Sequence, residues 1–161
     1  YIFEQDRPAE IYKKTKNSRP SYTYNGYPKL VDHEGFPGCK PPWGTLNCIN
    51  LNNGKLKWQV PLGEHEILTK RGLPKTGTEN FGGAAVTAGG LVFVGGTRDV
   101  KFRAFDKKTG EELWAHKLPF GASAPPAIYQ VRGRQYVVVP ATGGGKLGLP
   151  RGDAHVAFCL P

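Results

Sequence analysis

An eleven-residue pattern that occurs twice limits the folds open to this chain more than any other feature. Residues 48–58 read CINLNNGKLKW and residues 104–114 read AFDKKTGEELW, with Gly in the seventh position and Trp in the eleventh. The two Trp residues lie 56 positions apart, and a third start, AFC at 157–159, follows 53 positions after the second. Units of about 40 to 50 residues with four strands each are typical of β-propellers. The pattern therefore predicts an all-β chain built from antiparallel propeller blades.

The sequence around the second copy predicts one complete blade over residues 82–119. Four runs there are either apolar throughout or alternate apolar with polar residues, and Gly-rich or polar turns separate them. In order, these runs are 82–90, 91–99, 101–106 and 111–119. The run at 101–106 alternates, as a half-buried strand does, and Gly110 suits a turn that needs a positive φ.

The flanking segments predict incomplete units. Residues 44–51 and 55–63 have the pattern of the last two strands of a blade within 44–63. Residues 120–161 hold three strand-like runs and lack a fourth, which predicts an incomplete final blade. We expect residues 1–43 to be a mostly irregular lead-in with one or two strands, and 64–72 to form a short helical turn.

Composition supports this class of fold and excludes several others. The 22 Gly and 14 Pro residues argue against a helical bundle, because both residue types break helices. Three Cys, an odd number, argue against a disulfide-built scaffold. No apolar run reaches the roughly 20 residues that a membrane helix needs. The chain opens at Tyr1 rather than Met, so we expect a processed chain or an excised fragment.

The net charge of +9 raises the question of an anionic partner. Four bases cluster near the N-terminus, namely Lys13, Lys14, Lys16 and Arg19. The other bases alternate with apolar residues on predicted strands, as solvated faces do, and no basic helix or aromatic-basic platform is visible. We therefore expect no nucleic-acid partner. A basic surface that faces anionic lipid or an acidic electron acceptor stays open.

The titratable residues form no recognisable metal or redox motif. The four His residues share no metal-ligand spacing, and neither a CxxC nor a CxxCH sequence occurs. We therefore expect these residues to bind no metal. Cys159 falls in an apolar run, which predicts a small buried side chain. Asp99 is interpreted as a turn-capping residue, with a salt bridge to a neighbouring loop through Arg98 or Arg103 as the alternative.

Four segments together resemble a known family. They are 41–64 (PPWGTLNCINLNNGKLKWQVPLGE), 76–97 (TGTENFGGAAVTAGGLVFVGGT), 101–119 (KFRAFDKKTGEELWAHKLP) and 134–146 (RQYVVVPATGGGK). In order and spacing they resemble the C-terminal part of pyrroloquinoline-quinone (PQQ)-dependent dehydrogenases, and most closely the membrane-type quinoprotein glucose dehydrogenases. The resemblance runs from about Gly26 to Pro161.

The resemblance implies a fold and an architecture for the whole chain. Residues 1–161 would be the C-terminal part of an eight-bladed quinoprotein propeller and would supply about 2.75 of its four-stranded antiparallel blades. In that family, the fourth strand of the last blade comes from the N-terminal part of the polypeptide. The catalytic carboxylate, the aromatic that stacks under the quinone and most ligands of the Ca²⁺ or similar cation come from other regions. Trp58 and Trp114 would pack between blades, with the indole N–H bonded to a neighbouring carbonyl.

Six residues would face the PQQ cofactor by this resemblance. Asn80, Phe81 and Gly82 enter an inner strand, where Phe81 would contact the planar quinone and Gly82 would let backbone approach closely. Without the resemblance, this segment is an ordinary strand entry with a buried Phe. The other three are Gly144, Gly145 and Lys146.

The Gly-rich segment would meet the carboxylates of the quinone with backbone N–H groups. Lys146 would supply a charge there, or it is a solvated loop residue. Some glucose-oxidising relatives have a His in the position of Gly144, so this departure leaves the preference for glucose open.

The resemblance also implies a function. The parent protein would oxidise a glucose-like sugar or an alcohol and pass electrons to ubiquinone or a cytochrome. It would be periplasmic, with any membrane association through parts outside this chain. The isolated chain would be inactive, and its open strand edge would favour self-association. The alternative is a non-enzymatic propeller scaffold or binding module that carries the same Trp repeat.

Overall fold

The computed structural model describes residues 29–159. In this part of the chain, nine strands and one short helix follow one another. The elements are β1 (Thr45–Ile49), β2 (Leu56–Pro61), α1 (Glu66–Lys70), β3 (Ala84–Val86), β4 (Leu91–Val94), β5 (Lys101–Asp106), β6 (Glu112–Lys117), β7 (Ala127–Val131), β8 (Arg134–Gly144), a 3₁₀ turn (Gly145–Leu147) and β9 (Leu149–Cys159). None of the helices within 29–159 is both long and apolar enough to cross a bilayer.

The strands form three antiparallel sheets in chain order. They are the first sheet (β1-β2), the second sheet (β3-β4-β5-β6) and the third sheet (β7-β8-β9). Each strand pairs with the next in sequence, which is the meander topology of a propeller blade. The prediction of a nearly all-β, propeller-type chain is confirmed. The helical turn expected within 64–72 is α1, and no helix lies between residues 82 and 119.

The described strands lie inside the segments assigned to blades. The second sheet falls within 82–119, the first within 44–63 and the third within 120–161. The described part of the lead-in, from residue 29 to 43, contains only an isolated bridge between Val31 and Pro37. Residues 1–28 lie outside the described residues, and so do the basic cluster and any strand expected there. The division into blades and the total of about 2.75 blades stay predictions.

Residues 29–40 are the described part of the first of two compact units, and they contain one turn. The Asp32 carboxylate accepts hydrogen bonds from the backbone N–H groups of Glu34 and Phe36, both at 2.9 Å. The Gly38 N–H donates to the Leu30 carbonyl at 3.0 Å. This is an Asx-type turn, in which a short side chain replaces a backbone partner.

Residues 41–159 belong to the second unit, and its apolar core has two parts. One lies between the first and second sheets, and its buried members are Leu62, Val92, Val94 and Phe105. The other lies between the second and third sheets, and its buried members are Phe102, Leu118, Ala122, Val137, Val139 and Ala141. The sheets therefore pack face to face, as propeller blades do.

Strand β5 contributes to both parts of this core, and here the sequence interpretation was wrong. The alternation in KFRAFD predicted a half-buried strand, but the four residues from Phe102 to Phe105 are all buried. Phe102 packs toward the third sheet and Phe105 toward the first. A strand in the middle sheet has a neighbour on each face, so even Arg103 lies in the interior.

The two Trp repeats occupy equivalent positions. Trp58 pairs with Cys48 and Trp114 pairs with Ala104, and a β-bulge follows each pair. The Trp58 indole N–H donates to the Lys107 carbonyl of the next sheet at 3.1 Å, as predicted. Trp114 packs edge-on against Phe158 of the next sheet, with 5.1 Å between the ring centroids. Its side chain nevertheless stays 39% exposed.

Cys159 corrects another expectation, because its side chain is exposed and not buried. Strand β9 alternates along its length: Ala154, Val156 and Phe158 pack against the core, while Cys159 falls on the opposite face. Successive side chains of a strand point to opposite faces of the sheet, so every second residue of β9 faces away from the core even when the run is apolar. Cys39 is exposed as well.

Candidate functional site

The segment Asn80–Gly82 is held against the connection between β4 and β5. Asn80 forms an antiparallel bridge with Thr97, and the Phe81 N–H donates to the Gly96 carbonyl at 2.9 Å. These bonds attach the entry of β3 to the far end of its neighbouring strand. The Phe81 side chain points away from the core and is 42% exposed. Among the described residues, Phe81 is therefore not buried, and its contact with a cofactor stays a prediction.

Gly82 has a structural role that the sequence did not reveal. A Cβ at this position would lie 2.6 Å from the Gly95 carbonyl oxygen, which is closer than real Cβ contacts allow. The close approach is thus between two backbone segments of the same sheet. Gly82 is required for this packing whether or not a ligand lies nearby.

The Gly-rich segment of the third sheet begins inside a strand rather than in a loop. Gly143 and Gly144 are the last residues of β8, and Gly145–Leu147 form the 3₁₀ turn that leads into β9. The three glycines from 143 to 145 have φ values of 59, 65 and 63°. Three consecutive positive φ angles are strained for any residue with a Cβ, so this turn requires glycine. It leaves Lys146 exposed at the tip of the β8–β9 hairpin.

The structure brings the two predicted segments together at Phe81 and Lys146. The Lys146 ammonium nitrogen lies 5.6 Å from the centroid of the Phe81 ring, within the range of a cation–π contact. The two residues are 65 positions apart and belong to different sheets. Gly144 lies against the Arg151 side chain instead, and a Cβ built on Gly145 meets nothing within 4 Å. Phe81, Lys146 and Asn80 therefore form the centre of the candidate site.

A buried ion pair lies directly behind this site. The side chains of Asp99 and Arg103 are 2% and 1% exposed, and the guanidinium binds the carboxylate at short range. Arg103 also donates to the Thr97 hydroxyl at 3.1 Å, and that hydroxyl donates to Asp99 at 2.6 Å. Because Thr97 is the bridge partner of Asn80, the pair supports the strand on which the site segment rests.

The same carboxylate joins the first sheet to the second. The backbone N–H of Glu64, three residues after β2, donates to Asp99 at 2.9 Å. The Lys101 N–H donates to Asp99 at 3.1 Å, which is the turn-capping contact. Asp99 is thus both a turn cap and the holder of a neighbouring loop. Its ionic partner is Arg103, whereas Arg98 pairs with Glu79 at 3.2 Å.

The surroundings of the pair decide its protonation state. Burial alone would raise the pKa of Asp99, but the hydrogen bonds and positive charge of Arg103 outweigh it and hold the pKa below its usual value. Burial likewise works to lower the pKa of Arg103, and Asp99 raises it overall. Both groups are therefore charged at neutral pH, and each compensates the other in the interior.

Val100, between Asp99 and Lys101, is in the left-handed region with φ 53°. A β-branched residue rarely adopts this conformation, which costs about 1–3 kcal/mol. Its carbonyl accepts a hydrogen bond from the Leu118 N–H at 2.9 Å, and its own N–H donates to the Thr97 carbonyl. The surrounding bonds therefore impose an unfavourable backbone on the turn that presents Asp99.

A second group of charges extends the network toward α1 and β6. The Lys101 ammonium binds Glu64 at 2.6 Å and Glu66 at 3.2 Å. Glu112 accepts from Arg103 at 3.2 Å and from Lys75 at 2.9 Å. The sequence analysis offered a salt bridge between Asp99 and Arg103 as an alternative, but it missed the contacts of Lys101 and Glu112.

The described residues fit one side of a quinone site and offer no metal centre. Within 29–159, no three His, Cys, Asp or Glu side chains come together as a metal site would need. An exposed aromatic ring beside an ammonium group does fit a planar molecule that carries carboxylates. Phe81, Lys146 and the backbone at Gly144 and Gly145 are the residues that would hold it.

Comparison with known proteins gives the family. The model of the glucose/ethanol/alcohol dehydrogenase PQQ β-propeller domain matches residues 3–137. A probable quinate dehydrogenase (quinone) of Xanthomonas campestris pv. juglandis is 41% identical over 79% of this chain and 17% of its own length. Quinoprotein glucose dehydrogenase A of Acinetobacter calcoaceticus is 37% identical over 79% of this chain and 16% of its own.

Solved structures show the same relationship. The quinohemoprotein alcohol dehydrogenase of Comamonas testosteroni superposes with a TM-score of 0.55 at 27% identity, over 79% of this chain and 17% of that one. A europium-containing methanol dehydrogenase superposes with a TM-score of 0.53 at 33% identity, over 72% and 17%.

The chain belongs to the family of PQQ-dependent dehydrogenases with a β-propeller fold. It spans about a sixth of the length of the curated relatives that it matches. The names of these relatives indicate different substrates, among them quinate, glucose and, for a large subunit from Gluconobacter thailandicus, glycerol. The family assignment therefore establishes an oxidoreductase lineage and leaves the substrate to be argued.

Proposed function

We propose that this chain forms part of the cofactor-facing wall of a PQQ-dependent dehydrogenase that oxidises a glucose-like sugar or an alcohol. The observation that carries this proposal is the contact between Phe81 and Lys146, two predicted cofactor-facing residues from different sheets. An apolar ring and a cation at one exposed point suit a planar, anionic quinone better than they suit a scaffold surface.

Each residue of the site has a distinct role in this proposal. Phe81 gives the edge or face of its ring to the planar cofactor, and Lys146 neutralises a carboxylate. Gly145 is exposed and would offer its backbone N–H to the same anion, whereas Gly144 is buried, and Asn80 fixes the entry of β3 through its bridge to Thr97. When bound, the quinone supplies the two-electron acceptor for substrate oxidation.

The substrate class follows from the relatives and from Gly144. The named substrates of the relatives, quinate, glycerol and glucose, share secondary hydroxyl groups on a polyhydroxylated skeleton. A Cβ in this position would lie only 3.2 Å from the Arg151 side chain, and φ is +65°, so the local backbone favours Gly144 over a His. We therefore propose that the substrate is a sugar or a polyhydroxylated alcohol. Because this chain lacks the His that some glucose-oxidising relatives have in the position of Gly144, we propose no specific preference for glucose.

The remaining partners lie outside the described residues. We propose that Ca²⁺ or a similar cation is held by other parts of the parent protein, and that electrons leave to ubiquinone or a cytochrome. The parent would work in the periplasm, with any membrane anchor outside this chain. No feature of the site calls for nucleic acid.

The isolated chain should be inactive. A dehydrogenase of this kind needs a general base, a metal that polarises the reactive carbonyl, and walls on both sides of the cofactor. Phe81 and Lys146 supply one side only. The outer edge of β9 also has backbone groups that no described strand pairs, so we expect self-association.

Two measurements test the proposal. In the first, the purified chain is assayed with PQQ, Ca²⁺, a redox dye and glucose, glycerol or simple alcohols. Turnover well above a protein-free control would contradict the one-sided site. In the second, PQQ binding is titrated for wild type, Phe81→Ala, Lys146→Gln and the matched control Lys117→Gln. Each site variant should weaken binding about 5- to 10-fold, and an unchanged affinity in both would remove these residues from the site.

A further inference from the structure

The ends of the sheets that lie far from Phe81 carry an unexplained set of unpaired cations. These cations lie in or next to the turns β1–β2, β5–β6 and β7–β8. We call this group the basic turn surface, and it consists of Lys55, Lys107, Lys108, Arg132 and Arg134. All five side chains are exposed. Among residues 29–159, none of the five takes part in a salt bridge.

These turns lie together at one end of the sheets. The Lys107 N–H donates to the Gly90 carbonyl at 2.8 Å, so the β5–β6 turn meets the β3–β4 turn. The Trp58 indole bonds the Lys107 carbonyl, which brings the start of β2 to the same place. Strand β8 runs eleven residues between its two turns, so Arg134 lies roughly 30 Å from the Lys146 end.

The two ends of the sheets differ in how their charges are compensated. Near the candidate site, Arg98, Lys101 and Arg103 each bind a carboxylate. At the basic turn surface, the only acids in the three turns are Asp106 and Glu111. Asp106 accepts the backbone N–H groups of Lys108 and Thr109, as a turn cap. The charge of this surface is therefore positive and available to an anionic partner.

Arg132 stands where its side chain is unfavourable for the backbone. Arg132 and Gly133 have φ values of 50 and 79° and form the two-residue turn of the β7–β8 hairpin. Such a turn favours Asn-Gly, Asp-Gly or Gly-Gly, because both positions need φ above zero. An Arg in the first position costs stability, so a role for its exposed charge explains it better than turn formation does.

Exposed aliphatic side chains accompany the cations. Leu51, in the β1–β2 turn, is 92% exposed, and the paired residues Ile49 and Leu56 are each more than half exposed beside Lys55. Val131, half exposed, precedes Arg132. Cations next to projecting aliphatic groups are typical of surfaces that enter the headgroup region of an anionic membrane.

We propose that the basic turn surface binds the surface of an anionic lipid bilayer, with Leu51 entering the headgroup region. The proposal is independent of the function proposed for the Phe81–Lys146 site. An acidic protein would use the charges but gain little from Leu51, whereas a bilayer uses both. The candidate site, at the opposite end of the sheets, would then face away from the membrane and stay open to the aqueous phase.

Co-sedimentation with vesicles tests this proposal. The 161-residue chain is mixed with vesicles of phosphatidylcholine alone, or with about one third of phosphatidylglycerol, at low and high salt. We expect binding to the anionic vesicles only, weakened by salt. Binding of equal strength to neutral vesicles would overturn the proposal.

Four variants locate the surface. Lys107→Glu with Lys108→Glu should weaken binding at least about 25-fold, since each cation near an anionic surface contributes about five-fold. Arg132→Asn should weaken it about five-fold and fold at least as well, because Asn tolerates the positive φ. Leu51→Asn should weaken it about 5- to 10-fold. The matched control, Lys70→Glu with Lys117→Glu, should change it less than two-fold.

Three outcomes would contradict the assignment. The first is a loss in the Lys70 and Lys117 control as large as in the turn variant. The second is loss of binding in Lys13→Glu with Lys14→Glu while the turn variants bind normally, which would assign the effect to the N-terminal bases. The third is tighter binding to polyglutamate than to vesicles with no effect of Leu51→Asn, which would identify an acidic polypeptide as the partner.

Discussion

The two interfaces between the three sheets are built from different chemistry. Between the first and second sheets, the core around Phe105 is accompanied by the hydrogen bond from the Glu64 N–H to Asp99 and by the salt bridge from Lys101 to Glu64. Arg103, from the second sheet, holds that Asp99 carboxylate in place. Between the second and third sheets, aromatic rings pack against one another. The centroid of the Phe158 ring lies 5.7 Å from that of Phe102 and 5.1 Å from that of Trp114. Similar sheets of one repeat architecture are thus held together in two ways.

The difference shows what each interface can specify. Apolar packing is non-directional and scales with buried area, so it tolerates small shifts between sheets. A buried ion pair with hydrogen bonds at fixed geometry does not tolerate such shifts, because a displaced partner leaves a buried charge uncompensated. The polar interface lies behind Thr97 and Asn80, so the entry of β3 is positioned where the candidate site needs it.

The largest expected effect is at the polar interface. Arg103→Met removes one partner of the buried pair and leaves the Asp99 carboxylate uncompensated, so we expect a loss of about 3–5 kcal/mol in the free energy of unfolding. Urea denaturation measures it. The control is Arg98→Met, which breaks the exposed pair with Glu79 and should cost less than about 1 kcal/mol. Equal losses in the two variants would contradict the special status of Arg103.

The aromatic interface should respond less strongly and without salt dependence. Phe158→Ala removes a partly buried ring that contacts Phe102, Trp114 and His116, and we expect a loss of about 2–3 kcal/mol. The same denaturation experiment at low and at high salt should give the same loss, because no charge is involved. A loss that shrank with salt would show that the two interfaces are not chemically distinct.

Acid should weaken the polar interface through Asp99. The pKa of Asp99 is lowered in the folded state, so its contribution is complete above the unfolded pKa of about 4 and is lost as the pH falls through the folded value. The stability of wild type should therefore fall below pH 4 more steeply than that of Asp99→Asn. If the free energies of unfolding of wild type and Asp99→Asn fell in parallel from pH 6 to pH 2, the Asp99 carboxylate would not be a source of this pH dependence.

The smallest effect compares the two Trp residues. Trp58→Phe removes the N–H bond to the Lys107 carbonyl and should cost about 1 kcal/mol. Trp114→Phe is the matched change in the next sheet. Its indole N–H makes no such bond to any residue within 29–159, so this change should cost less. Thermal denaturation of both variants gives the difference, and a larger loss for Trp114→Phe would contradict it.

Much of the fold could be predicted from local pattern. The Gly and Trp spacing located both Trp hairpins, and the turn residues marked the ends of β3 to β6, because turn chemistry and strand alternation depend on near neighbours in the chain. The burial of Arg103 could not be predicted in this way. Its alternation with Phe102 matched a half-buried strand, and only the presence of a sheet on each side makes that interpretation wrong.

The candidate site, too, could be predicted only in part from the sequence. The segments around Phe81 and Lys146 were chosen from a resemblance, and their assignment to a cofactor stays a prediction. The exposure of Phe81 and the contact across two sheets were not visible in the sequence. Gly82 had a plausible ligand-facing role, but its strictest requirement is the nearby Gly95 carbonyl.

The sequence by itself determined the class of fold, the family and the positions of the hairpins, since these depend on periodicity, turn residues and identity with relatives. The tertiary structure alone decided which charges are buried and which cations stay unpaired, because both depend on how the sheets pack against one another. It also decided that Asp99 joins two sheets and that Cys159 faces outward. Packing between sheets, and not the character of any single run, sets the environment of these side chains.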